Sequence, residues 1–210
     1  MQKEDGRSRK ERALETKNHL YAVADRLFTQ CGFDDVSVDK IVEEAGLSKG
    51  AFYVHFESKD SLLAALITEY VDKVDVDYQK FVETFSSDTS ATDIFLRLIE
   101  KIADVIVDTI GLERMKALYR TQLTNITFTG TAASYNRMLY TTIMDVLSKG
   151  IQRKEFASAL PPEEMANHII LALRGLTYEW CIRYPDFNLK EQSLAHFRIA
   201  LQGIQVNCRF

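Results

Sequence analysis

The 210-residue sequence contains little proline, glycine or cysteine. Three prolines and nine glycines are too few for a fold of many short strands and turns, and they favour long helices. The three cysteines, Cys31, Cys181 and Cys208, lie far apart and form no CxxC pair. We therefore expect reduced, mostly buried thiols, with redox sensing at Cys181 as the alternative.

The sequence also lacks an apolar run that could cross a membrane. The most apolar region, residues 165–182, is interrupted by His168, Arg174 and Glu179, and the N-terminus is polar. A transmembrane helix needs about 20 predominantly apolar residues, and a secretory signal needs an apolar segment near the N-terminus. We expect a cytoplasmic protein without membrane contact.

Patterns that would indicate catalysis or metal binding are missing as well. No nucleophile–base pair, paired carboxylates, glycine-rich phosphate loop or His/Cys cluster occurs at useful spacing. We therefore expect neither an enzyme nor a metal or cofactor site. The net charge of −4 does not point to nucleic acid either, but five basic residues crowd the stretch from Arg7 to Lys17. This basic N-terminal arm, residues 1–13 with its flank, could contact DNA or be a solvated tail.

Apolar residues recur at helical spacing along the whole chain. Nine helices and no strand are predicted, the first beginning at the N-cap candidate Thr16 and ending at Gly32. The others cover about 37–45, 49–56, 58–74, 91–109, 112–127, 131–153, 161–184 and 188–206. The predicted fold class is all-α, with an N-terminal domain of three short helices over 14–74 and a helical domain over 75–210.

Residues 37–56 have the pattern of a helix-turn-helix, with Ala45-Gly46-Leu47 as the turn. In the second helix, Phe52 and Phe56 are four residues apart and should face the domain core. Lys49 and Tyr53 have the same spacing and should face outward. This split leaves one helix face free to enter a major groove.

The run from Ser37 to Leu62 resembles the signature of the TetR family of regulators, as does Ala24–Phe28 followed by Gly32-Phe33. The resemblance covers about residues 14–65 and implies DNA binding by these positions. It assigns phosphate contacts to Ser37, Ser48, Tyr53, His55 and Lys59, and base contacts to Lys49, Gly50 and Ala51. Val54 departs from the family pattern, and we expect no strong contact from it.

Each of these side chains also has a plainer interpretation. The two serines could act only as helix caps, and Tyr53 could belong to the core. His55 and Lys59 could be ordinary surface residues.

In the family, the C-terminal region binds a small ligand and forms a homodimer through its last two helices, here about 161–184 and 188–206. Apolar stripes on these helices could form the interface, or could pack against their own domain. The stripes are Ile169, Leu173, Leu176 and Trp180 on the first helix, and Leu194, Phe197, Leu201 and Ile204 on the second.

Apolar and aromatic residues of this region could line a pocket for a hydrophobic or aromatic effector, although ordinary core packing is the plainer interpretation of each. They are Met115, Tyr119, Leu123, Phe128, Met138, Met144, Tyr178 and Trp180. The resemblance implies a repressor that such an effector releases from a palindromic operator in double-stranded DNA. The alternative is a related DNA-binding protein without an effector, acting through a protein partner or as an architectural factor.

Overall fold

The computed structural model describes residues 8–124, 138–157 and 160–204. These residues form nine α-helices and no strand, which confirms the predicted all-α fold. The helices are α1 Arg9–Cys31, α2 Val38–Glu44, α3 Lys49–His55, α4 Lys59–Glu83, α5 Ala91–Asp104, α6 Leu112–Thr124, α7 Met138–Gln152, α8 Pro162–Arg183 and α9 Leu189–Gln202. None of the described helices is long and apolar enough to span a bilayer.

The first helix begins earlier than predicted. Ser8 caps α1 by accepting a hydrogen bond from the Glu11 amide, and the Glu11 carboxylate accepts one from the Ser8 amide. This reciprocal capping box outcompetes Thr16, whose hydroxyl donates to the Arg12 carbonyl inside the helix. The prediction of Thr16 as N-cap is therefore wrong, and residues 9–13 of the predicted arm are helical. The arm's first seven residues lie outside the described part of the chain.

The buried side chains form two apolar clusters. The first joins α1, α2, α3 and the start of α4 to α6 and to the C-terminal end of α8, where Trp180 and Cys181 are buried. The second joins the end of α4 to α5, α7, α8 and α9. Helix α6 is thus part of the same core as the three N-terminal helices, although it follows them by more than 50 residues in sequence.

Helix α5 continues into a π-helical segment, Val105–Ile110, which ends at Gly111. Gly111 has a φ of 81°, a left-handed conformation that glycine adopts without a steric penalty, and α6 begins at the next residue. A π-helical turn contains more residues than an α-helical turn, is rare, and is frequently found at functional sites. Here its residues Ile106 and Ile110 pack against both apolar clusters.

The predicted dimer stripes are largely internal. Leu173, Trp180, Phe197 and Leu201 are buried within their own protomer, so their assignment to a subunit interface is wrong. Ile169, Leu176, Leu194 and Ile204 are partly buried against the same two clusters. Both helices carry apolar residues on more than one face, and the faces with the predicted stripes pack against the rest of the chain.

Candidate nucleic-acid interface

A tight turn joins α2 to α3. Gly46 has a φ of 63°, and the Leu47 amide donates to the Val42 carbonyl at 2.8 Å, which closes the end of α2. The half-buried Leu47 packs against the first apolar cluster. The predicted turn at Ala45-Gly46-Leu47 is therefore present, with the glycine in a left-handed conformation and the leucine packed between the two helices and the core.

A serine caps each of the two helices. The hydroxyl oxygen of Ser37 accepts from the Lys40 amide and that of Ser48 from the Ala51 amide, both at 3.1 Å. Both serines are exposed, and each hydroxyl hydrogen remains able to donate outward. Each hydroxyl also lies where the helix dipole and free amides favour an anion.

The inward and outward faces of α3 separate as predicted. Phe52 and Phe56 are buried, with ring centroids 5.6 Å apart, and Phe56 also packs on Tyr21 of α1. Tyr53 is 55% exposed and Val54 is 77% exposed. The structure therefore does not place Tyr53 in the core, and its hydroxyl-bearing ring belongs to the outer face.

Lys49, the first residue of α3, is paired with Asp39 in the first turn of α2. Its Nζ lies 2.7 Å from Asp39 Oδ1, and this hydrogen bond raises the pKa of Lys49. Both side chains are more than half exposed. The lysine is therefore charged and reachable, but it already has an anionic partner before any DNA arrives.

Lys59 makes contacts within the protein that the sequence did not predict. Its Nζ donates to the Phe33 carbonyl at 2.7 Å and lies 4.2 Å from the centroid of the Phe33 ring. These contacts tie the start of α4 to the loop between α1 and α2. His55, at the end of α3, is half-buried beside Phe56.

A cavity of about 110 Å³ lies among the helices of the C-terminal region. Its lining is mostly aliphatic and comes from α4, α5, the π-helical segment, α6, α7 and α8. The lining residues are Ile67, Val71, Val74, Tyr78, Ile102, Ile106, Ile110, Met115, Leu118, Tyr119, Gln122, Leu139, Ile170, Leu173, Arg174 and Thr177.

Only two of the predicted effector-binding residues, Met115 and Tyr119, line this cavity. Tyr178 packs edge-on against Tyr119 at 5.6 Å but is itself exposed. Leu123 and Met138 are exposed, the half-buried Met144 packs against the second apolar cluster, and Trp180 is buried in the first. Phe128 lies outside the described residues. Most of the lining comes from β-branched residues and leucines that were not predicted to bind an effector, because they look like ordinary core positions.

Apart from Tyr78 of α4, the polar residues that line the cavity lie on one wall, where α6 faces α8. The Tyr119 hydroxyl donates to the Arg174 carbonyl at 3.0 Å, and the Thr177 hydroxyl donates to the Leu173 carbonyl at 2.8 Å. Burial raises the pKa of Tyr119 well above its ordinary value, so this hydroxyl stays protonated. With Gln122 on the same wall, the cavity combines an apolar body with a polar side.

Comparison with known proteins agrees with this geometry. Residues 20–66 match the family described as bacterial regulatory proteins, tetR family. The chain is 27% identical over 206 residues to the HTH-type transcriptional regulator AcrR of Shigella flexneri, covering 93% of this chain and 92% of the relative. It is 23% identical over 193 residues to the repressor KstR2 of Mycolicibacterium smegmatis, covering 90% of each.

Solved structures share the whole fold. A TetR-family regulator from Pectobacterium atrosepticum superposes with a TM-score of 0.78 at 22% identity, covering 97% of this chain and all of the other. The TetR-family repressor FadR of Thermus thermophilus, solved with lauroyl-CoA, superposes with a TM-score of 0.71 at 16% identity, covering 91% and 96%.

The α2–turn–α3 unit, with a buried inner face and an exposed outer face, has the form of a helix-turn-helix. Residues 20–66 match the tetR family of bacterial regulatory proteins, and the chain as a whole is similar to transcriptional regulators of that family.

Proposed function

We propose that this chain is a homodimeric repressor that binds a palindromic operator with the outer face of α3 and is released by a small, mainly apolar effector. The observation that carries the proposal is the division of α3 into buried phenylalanines and exposed Lys49 and Tyr53. The Tyr53 ring touches Phe52 edge-on at 5.3 Å, but more than half of the side chain remains exposed and faces away from the core. A groove of DNA supplies the missing partner.

The roles at the interface follow from position and chemistry. Ser37 and Ser48 donate their hydroxyls to phosphates at the two helix N-termini. Lys49 reaches a base edge or phosphate once it leaves Asp39, and Gly50 and Ala51 allow close approach of the backbone. Tyr53 and His55 contact phosphates farther along the groove. Lys59 contributes by holding the loop after α1 and adds its positive charge to the surface.

A matched pair of variants tests the DNA-binding face. Tyr53→Ala removes the proposed phosphate contact from both half-sites, whereas Val54→Ala trims the neighbouring, even more exposed side chain. With a duplex selected from a random library by wild-type protein, fluorescence anisotropy should show at least about tenfold weaker binding for Tyr53→Ala and little change for Val54→Ala. Equal affinities for the two variants at moderate salt would refute this assignment.

In the proposed homodimer, the second protomer binds to the outer faces of α8 and α9. Leu171, Tyr178 and Ile182 form a row on α8, with Gly175 between the first two, and Ile199 is 70% exposed on α9. Exposed apolar side chains on two neighbouring helices are typical of a subunit interface. Pairing two α8–α9 units about a twofold axis would create a four-helix interface.

The effector is proposed to occupy the cavity between α4 and α8. A cavity of about 150 Å³ can hold benzene, so the present one suits a compact apolar molecule with one polar group. The alternative of a regulator without an effector would be favoured by a fully packed C-terminal domain, and the cavity argues against it. Release follows if the effector binds more tightly to a conformation that no longer fits the operator.

Filling the cavity tests its role. Val74→Phe places a ring into the lining, and Val76→Phe adds the same ring at an exposed position two residues away. In a thermal-shift screen with indole, benzyl alcohol and octanoate, we expect at least one compound to raise the Tm of wild type and Val76→Phe but not of Val74→Phe. If the compound also raised the Tm of Val74→Phe, it would bind outside this cavity. If no compound raised the Tm of wild type, these three compact ligands would be excluded as effectors.

A further inference from the structure

Helix α6 faces the effector cavity on one side and the DNA-binding helices on the other. Met115, Leu118, Tyr119 and Gln122 line the cavity. Arg114 and Arg120 of the same helix reach α1 and the loop that follows it, where their partners are Asp25 and Asp34. A shift of α6 therefore acts on the cavity and on the DNA-binding helices together.

Arg114 makes the more extensive of the two contacts. Its Nη2 donates to Asp25 Oδ1 at 2.7 Å and to the Thr29 hydroxyl, both on α1. Its Nη1 donates to the carbonyl oxygens of Thr109 and Ile110 at 3.4 and 3.2 Å. One guanidinium therefore connects α1 to the last turn of the π-helical segment.

The last turn of the π-helical segment borders the effector cavity, because Ile106 and Ile110 line that cavity directly. Ile67 and Ile110 also line a second, smaller cavity of about 40 Å³, whose other walls include Asp25 and Arg114. Ile110 thus stands between the space for an effector and the ion pair that reaches α1, and the smaller cavity leaves it room to move.

The hydrogen bonding of Arg114 is incomplete. Its Nε is buried and has no hydrogen-bond partner within the described residues. Its side chain is 22% exposed, so most of the guanidinium is shielded from water. Buried donors are nearly always satisfied, and an unsatisfied one is unfavourable. A change in the adjacent carbonyls would therefore alter which partners this guanidinium keeps.

We propose that Arg114 is the positioning residue that couples the effector cavity to the DNA-binding helices. The proposal rests on the proposed function. An occupant that displaces Ile106 or Ile110 moves the carbonyls of Thr109 and Ile110, and Arg114 transmits that movement to Asp25 and Thr29. Because α1 packs on α2 and α3 through the first apolar cluster, the recognition face turns with it. Arg120 pairs with Asp34 at a more exposed site and contributes less.

Coupling is reciprocal, so DNA can replace the unidentified effector in the test. Hydrogen–deuterium exchange of residues 102–112 is measured with and without the selected duplex. In wild type, DNA should change the exchange rates of this segment by about twofold or more, although it lies outside the DNA interface. In Arg114→Gln the change should disappear while DNA binding persists.

Two further variants and one control separate coupling from stability. Asp25→Asn removes the partner on α1 and should lose the same response, which also decides the matter if Arg114→Gln does not fold. Arg114→Lys keeps the charge but replaces the two nitrogens that reach Asp25 and the carbonyls with a single one, and should keep most of the Tm while losing the response. Arg183→Gln breaks an exposed pair with Glu179 on α8 and should respond like wild type.

The outcomes are distinct. A full exchange response in folded Arg114→Gln or Asp25→Asn overturns the proposal, as does a wild type that binds DNA without any change in residues 102–112. In either case the proposed DNA-binding function stands. A wild type that selects no duplex defeats that function, and the coupling proposal falls with it.

Discussion

Lys49 at the start of α3 and Asp39 in the first turn of α2 form an ion pair, with 2.7 Å between Nζ and Oδ1. The pair spans the two helices of the helix-turn-helix on their solvent side. In the proposed complex the same lysine faces DNA. Asp39 therefore competes with the operator for Lys49 and brings a negative charge close to the phosphates.

Asp39→Asn should tighten DNA binding. The substitution frees Lys49 and removes a repulsive charge, and because exposed ion pairs are weak we expect a gain of at most about fivefold in affinity. Anisotropy titrations with the selected duplex at two salt concentrations measure the effect, which should shrink at the higher salt. Weaker binding by Asp39→Asn would instead mean that Asp39 orients Lys49 for its contact.

Gly150→Ala should destabilise the protein even though alanine favours helices. A Cβ at Gly150 of α7 would overlap the buried ring of Phe156 and lie 2.9 Å from the Ala91 Cβ. Overpacking costs typically about 1–3 kcal/mol, against a gain of about 1 kcal/mol in helix propensity. Thermal or urea unfolding measures the loss.

A second substitution checks the cause. Phe156→Leu makes room for the methyl group, so the Gly150→Ala change should be less damaging in that background than in wild type. Additive losses in the double variant would show that the two sites do not clash.

The helix-turn-helix could be predicted closely because its information is local. Gly46, the two capping serines and the split between Phe52 and Tyr53 all follow from spacing within about 20 residues. The N-cap of α1 was predicted wrongly because two residues have the right chemistry for it. Thr16 and Ser8 both satisfy the residue preference, and only the reciprocal bonds with Glu11 distinguish them.

The C-terminal region was less predictable because its helices have apolar residues on opposite faces. Periodicity identifies Leu173 and Leu171 as apolar, but it does not say which meets the protomer's own core. Arg114 and Asp25 are 89 residues apart in sequence, and no local pattern joins them. The cavity has the same difficulty, since its aliphatic lining resembles a packed core.

Cys181 should resist thiol reagents while the protein is folded. Its side chain is buried, and that burial raises its pKa to about 11. An ordinary thiol is about half ionised at pH 8.5, but Cys181 stays protonated there and is poorly accessible. Iodoacetamide labelling at pH 8.5 followed by peptide mass spectrometry should modify Cys181 only after unfolding. Rapid labelling of the folded protein would instead revive the redox-sensing alternative considered for this residue.

Charges on the outer faces of α8 and α9 should break the proposed dimer. Leu171→Glu and Ile199→Glu each place a carboxylate on an apolar surface that is exposed in the single chain, so neither should unfold the protomer. Each should shift the mass measured by light scattering toward the 24.0 kDa of one chain. DNA affinity should fall as well, because one protomer contacts only one half-site.

Leu14→Glu provides the control, since Leu14 is comparably exposed but lies on α1. It should leave the mass of the dimer unchanged. If both α8 and α9 variants also kept that mass, the subunits would have to associate through another surface. The exposed apolar residues of α8 and α9 would then bind something other than a second copy of the chain. The distance between the two α3 helices in the dimer would be set by that other surface.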